Sequence, residues 1–145
     1  MMDIVVPATA SLIVQIVVLA VLIASYVLKR QKRYRGHGIT MSVAFVLHLT
    51  TIFAVMLPSL ISYLSSPGTL NFSDASVIIS LLHASLGVIG VSMGGWLAAS
   101  WHLRKDLGPM FAKRRIMLPT LIVWIIAILI GIYIYLSLYY TIIVG

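Results

Sequence analysis

ITMSVAFVLHLTTIFAVMLPSLISYL, from Ile39 to Leu64, and VIISLLHASLGVIGVSMGGWLAASWHL, from Val77 to Leu103, are two apolar runs joined by a short polar connector. A helix needs roughly 20 apolar residues at about 1.5 Å rise to cross a bilayer, so each run is long enough to span. Each also carries a histidine, His48 and His83, where hydrocarbon-compatible side chains are expected. His37 and His102 sit at the ends of the same two runs, so all four histidines belong to one helical hairpin. An ionisable group in a membrane helix is costly and its ring nitrogens need partners, which makes it a functional-site hypothesis by default.

The composition extends the membrane reading to the whole chain. Of 145 residues, 61% are hydrophobic and 9% charged, whereas soluble domains carry about 25% charge. Two further runs, Ile4 to Leu28 and Met117 to Ile142, complete four expected spans over 4–28, 39–64, 77–103 and 117–142. The expectation is a single all-α membrane domain, an up-down-up-down four-helix bundle with both termini outside. Ile4 to Leu28 is read as a span rather than a cleaved leader, because its positive charges follow the apolar run.

The net charge of +7 raises the question of nucleic acid, and position answers it. The ten basic residues fall into two clusters, Lys29 to Arg35 and Arg104 to Arg115, in the two loops on one side of the bundle. The positive-inside rule puts both in the cytoplasm of a multi-pass cell-membrane protein, where they set topology and meet anionic lipid.

Smaller signals mark the loops. Gly36-His37-Gly38 reads as a flexible break before span two. Pro58 should kink span two or free carbonyls in its outer part. Asp74 and Ser76 are N-cap choices for span three. Tyr133, Tyr135, Tyr139 and Tyr140 gather at the outer end of span four as an interfacial aromatic belt would.

With no cysteine in the chain, thiolate zinc, iron–sulfur clusters and covalent c-type haem are excluded. Any metal must use His, Met, Tyr, carboxylate or backbone. The three carboxylates, Asp3, Asp74 and Asp106, all fall outside the spans, which leaves no material for a carboxylate proton relay. No nucleophile elbow, H-E-x-x-H or phosphate loop is present, so an electron carrier or assembly factor is expected rather than an enzyme.

Helical spacing sorts the candidates. Gly87, Gly90 and Gly94 follow His83 within about 40° of its face at 100° per residue. This Gly-lined face suits close helix packing, or a notch where a flat macrocycle lies against backbone. His37 and His48 share a face of span two about 16 Å apart in height, as ligands of two stacked haems b would. The alternative is a loop histidine together with a histidine bonded to a neighbouring Ser or Thr. In an antiparallel hairpin, residues at equal depth have numbers with a constant sum. That rule pairs His37 with His102, Met56 with His83, and His48 with Met93. Bis-His and His/Met are haem axial sets, and imidazole with thioether also suits Cu(I). Haem b is therefore the expected cofactor, with copper as the alternative. A third reading is a structural subunit whose histidines bind nothing.

Further residues carry a resemblance: His37 with Met41 four residues on, Leu82-His83 opening span three, Lys113-Arg114-Arg115 before span four, then Trp124, Gly131, Tyr135 and Leu138-Tyr139. In this order, over most of 35–139, they resemble the domain-of-unknown-function 420 family of four-span membrane proteins, which includes a bacterial cytochrome oxidase assembly factor. The resemblance implies work beside the respiratory chain, in haem–copper oxidase maturation or electron transfer, with His37 and His83 as the functional positions. It also implies a histidine just before span four, where this chain has Lys113; a ligand there is lost, or replaced by His102 or His48. Expected partners are the lipid bilayer, a haem–copper oxidase or another respiratory complex, and a second copy of the chain.

Overall fold

The computed structural model describes residues 2–65, 73–101, 108 and 113–144, and the side chains of 6–65, 73–101, 108 and 113–138. His102, the connector at 66–72 and the side chains of Tyr139 and Tyr140 lie outside that description. Every regular element among the described residues is helical: α1 (Met2–Arg30), α2 (Tyr34–Thr51), a π-helical turn (Ile52–Met56), α3 (Leu57–Ser65), α4 (Ala75–Trp101) and α5 (Arg114–Val144). α2, the π turn and α3 form one continuous rod, so four rods, 6–30, 34–65, 75–101 and 114–138, are long and apolar enough to cross a membrane.

The sequence favours helices here because the hydroxyls inside the runs are satisfied within their own rod. Thr40 donates to the carbonyls of Gly36 and His37, Ser42 to Gly38, Thr51 to Leu47, Ser85 to Leu81 and Thr120 to Ile116. Back-bonding of this kind lets Ser and Thr sit in a hydrocarbon-facing helix without an orphaned group. The starts are chemically marked. Asp74 Oδ1 accepts from the Ser76 amide at 2.9 Å, and the Asp74 carbonyl accepts from Val77. This is the N-cap expected for the third span, and the amide bond holds the Asp74 carboxyl below the usual aspartate range.

Two expectations need correcting. Gly36-His37-Gly38 is not a break: α2 begins at Tyr34 and runs through it. Gly38 is small for another reason, since a Cβ there would lie 2.7–2.8 Å from the Trp101 ring. Tyr135 is not a belt residue either: it is buried, and its hydroxyl lies 2.7 Å from Thr9 Oγ1 on α1. Tyr133 does face outward. The effect of Pro58 surfaces just before it, as the π turn. Proline cannot donate to the carbonyl of residue i−4, here Ala54, and its ring crowds that carbonyl; widening one turn relieves both.

The rods pack in a ring, with α1 against α2 and α5, and α4 against α2 and α5. Val18, Leu22, Ala44, Trp124 and Ile128 form the small core. Large apolar side chains such as Ile13, Val46, Phe53, Val88 and Leu129 point outward, a surface that only lipid or other protein can cover. The ring is not closed along its length. Gly38 meets Trp101, and Phe45 meets Gly94 and Gly95. Further along, no Cα of the π turn or α3 comes within 8 Å of α4. Span two and α4 therefore touch near the basic loops and stand apart toward the other end.

Candidate functional site

His37 and His83 are held in the same way. His83 Nδ1 lies 2.9 Å from the Ala127 carbonyl oxygen on α5. His37 Nδ1 lies 3.0 Å from the Ser25 carbonyl oxygen on α1 and 2.7 Å from Ser25 Oγ. A carbonyl only accepts, so Nδ1 donates in each ring and, in the neutral ring, Nε2 carries the lone pair. Ser25 Oγ also donates to the His37 carbonyl at 3.2 Å, which leaves its oxygen to accept from Nδ1. Metal-ligating histidines are oriented in this manner, with one ring nitrogen tied to a carbonyl and the other left to bind.

His83 points into a crowded place. A Cβ on Gly131 would lie 2.8 Å from His83 Cε1 and 2.7 Å from Gln15 Oε1, so the imidazole and the amide occupy the space where a side chain would be. Gln15 Nε2 donates to Ser11 Oγ at 3.3 Å, but Oε1 is buried with no partner among the described residues. Gln15 was not among the sequence candidates. An uncharged amide in the middle of Ile4 to Leu28 was the signal that could have found it, because amides in hydrocarbon need bonds as histidines do.

His48 is 3% exposed, and its ring centroid is 5.6 Å from that of Trp124. His48 Nδ1 and Trp124 Nε1 both lack partners among the described residues. Such buried orphans are rare in folded proteins and call for an explanation in bound water, an ion or function. Trp124 contacts His48 and lies three residues before Ala127, so His48 and His83 meet α5 about one turn apart.

The Gly face of α4 does turn toward α5, and Trp124 occupies most of it. Gly90 lies against the Trp124 backbone and Gly94 against its ring, at 3.8 and 3.2 Å from a notional Cβ. At these two positions the face serves helix packing. Gly87 has nothing within 4 Å of its notional Cβ among the described residues. Met93 is half-buried on α4, and Met56 is half-buried in the π turn, on the part of span two that stands apart from α4. The pairing of His37 with His102 falls outside the described residues. Lys113, where a histidine was implied, donates to Ser100 Oγ and sits 4.3 Å over the Trp96 ring. It braces the start of α5 against α4.

At the basic-loop end the four rods enclose a cavity of about 40 Å³, lined by residues that include His37, Met41, Trp101, Met117 and Trp124. Among the described residues no three His, Cys, Asp or Glu side chains cluster to hold an ion. Any ion site there must draw on thioethers, amides or backbone as well. Comparison with protein-family models, curated proteins and solved structures finds no match for this chain.

Proposed function

We propose that this chain is an integral-membrane metal protein that serves the respiratory chain, holding copper through histidine Nε2 atoms in the maturation of a haem–copper oxidase. The observation that carries the reading is the shared anchoring of His37 and His83: each gives its Nδ1 proton to a carbonyl on a neighbouring helix and keeps an Nε2 lone pair. These are the two histidines that the resemblance to the domain-of-unknown-function 420 family singles out. Each would hold the metal; copper supplies one-electron chemistry or is passed on as cargo. The up-down topology, with basic loops cytoplasmic and both termini outside, follows from the charge distribution and belongs to this proposal.

Available space favours an ion over haem b. The Gly90 and Gly94 positions are filled by Trp124, and a cavity of about 40 Å³ beside His37 takes an ion or a water rather than a macrocycle. Haem b remains a second reading on one observation. The far half of α4 stands apart from the π turn and α3, and Gly87 faces open space there.

Absorption spectroscopy and elemental analysis of the purified protein test both. Copper without a Soret band is the expected result. A Soret band with iron favours the second reading. Neither metal, even after reconstitution, removes both and leaves a structural subunit whose histidines are only hydrogen-bonded.

A further inference from the structure

We infer that the cavity at the basic-loop end is a Cu(I) site built from His37 Nε2 and the thioethers of Met41 and Met117. The inference rests on the metal reading above and deepens it, since it names the metal's oxidation state, its ligands and its end of the bundle. Neither methionine belongs to the His/Met pairs that the hairpin register suggests.

Three observations carry it. His37 is fixed with its Nδ1 proton on the Ser25 carbonyl, which assigns the lone pair to Nε2. Met41 is one helical turn further along α2, so imidazole and thioether share a face, and both line the cavity. Met117 reaches the same cavity from α5. One imidazole and two thioethers form a soft, uncharged ligand set, which suits Cu(I) and gives no purchase to magnesium or calcium.

Charge points the same way. Among the described residues no carboxylate lines the cavity, and Lys29 does. An uncompensated ion in an apolar site is costly, and the cost grows steeply with charge, so a univalent ion is admitted where a divalent one is not. The Lys29 stem can cover the wall while its ammonium reaches the basic loop. Binding and release proceed by ligand exchange at constant oxidation state, with no electron or proton to supply. The competing account is that Met41 and Met117 only fill space, as methionines in membrane cores do. Met→Leu separates the two, because it keeps volume and apolarity and removes only sulfur.

The test uses the full chain in detergent micelles, titrated anaerobically with Cu(I) against a competing chromophoric chelator. The wild type is expected to take one Cu(I) from the chelator, with sulfur and nitrogen neighbours in X-ray absorption. The Met41→Leu/Met117→Leu double variant and His37→Asn should each lose more than the roughly 10–100-fold in affinity that a supporting hydrogen bond is worth at metal sites. The Met56→Leu/Met93→Leu variant should keep wild-type affinity. Unaltered helical circular dichroism and melting in the double variant keep the comparison valid. If melting does change, the wild-type absorption spectrum decides by the presence or absence of sulfur neighbours. Wild-type binding that the double variant retains in full overturns this site and leaves the metal reading standing. No Cu(I) uptake by the wild type removes both.

Discussion

His83 donates from Nδ1 to the Ala127 carbonyl 2.9 Å away, and its Cε1 edge fills the space beside Gly131 together with Gln15 Oε1, a buried acceptor with no partner among the described residues. A buried acceptor without a partner costs about 1–3 kcal/mol. Gln15→Met, which keeps the length and removes the amide, should therefore raise the thermal midpoint of the metal-free protein in detergent. A lowered midpoint would mean that Gln15 has a partner, such as a bound water or ion.

Gly131→Ala puts a methyl 2.8 Å from His83 Cε1 and 2.7 Å from Gln15 Oε1. Gln15 can swing aside, but His83 is tied to the adjacent turn of the same helix. We expect a loss of about 1–3 kcal/mol, as for other overpacked cores, together with a changed His83 ring resonance in NMR. An unchanged melting curve and an unchanged ring resonance would mean that the three residues do not meet as described.

Gly38→Ala is predicted to destabilise by a similar amount, about 1–3 kcal/mol, because the atoms met at 2.7–2.8 Å belong to the buried Trp101 ring. Gly36→Ala, whose methyl would make ordinary 3.5 Å contact with Leu28, is the matched control and should change the melting midpoint little. Equal effects of the two substitutions would contradict the packing of α2 on α4.

Ser25→Ala removes the hydroxyl 2.7 Å from His37 Nδ1 and leaves the backbone carbonyl in place. Metal affinity should fall within the roughly 10–100-fold range seen when a supporting hydrogen bond to a ligand histidine is lost. Copper titration reads this directly, and an unchanged affinity would separate His37 from the metal.

Asp74 gives a prediction in pH. Its carboxylate is held below its ordinary value, 3.8, chiefly by the Ser76 amide. A depressed carboxyl stabilises the fold in full above its unfolded value. That contribution is lost as pH falls through the lower, folded value. Amide exchange, corrected for its intrinsic pH dependence, should show loss of protection at the start of α4 only below about pH 3.8. Asp74→Asn should make protection there independent of pH over that range.

The four rods were legible in the sequence because hydrocarbon solvent demands long apolar runs, and their bounds differ from the expected spans by only a few residues at most ends. The hairpin register was legible too. Gly38 against Trp101 and Phe45 against Gly94 follow the same constant sum that paired His37 with His102. It stops being informative at Ile52, where the Pro58 region converts a turn to π helix and span two leaves α4. The anchoring of His37 on Ser25 and of His83 on Ala127 was not legible. Both partners are backbone carbonyls on other helices, and a carbonyl has no sequence signature. Nor was the filling of the Gly face by Trp124, since face angles on one helix do not say which side chain of another will arrive there.

Copper and iron content of protein purified from copper-replete membranes tests the central claim, that these histidines hold a metal. Stoichiometric copper that falls sharply in His37→Asn, in a protein that still melts cooperatively, is the result this account predicts. Neither metal above background in the wild type would contradict it.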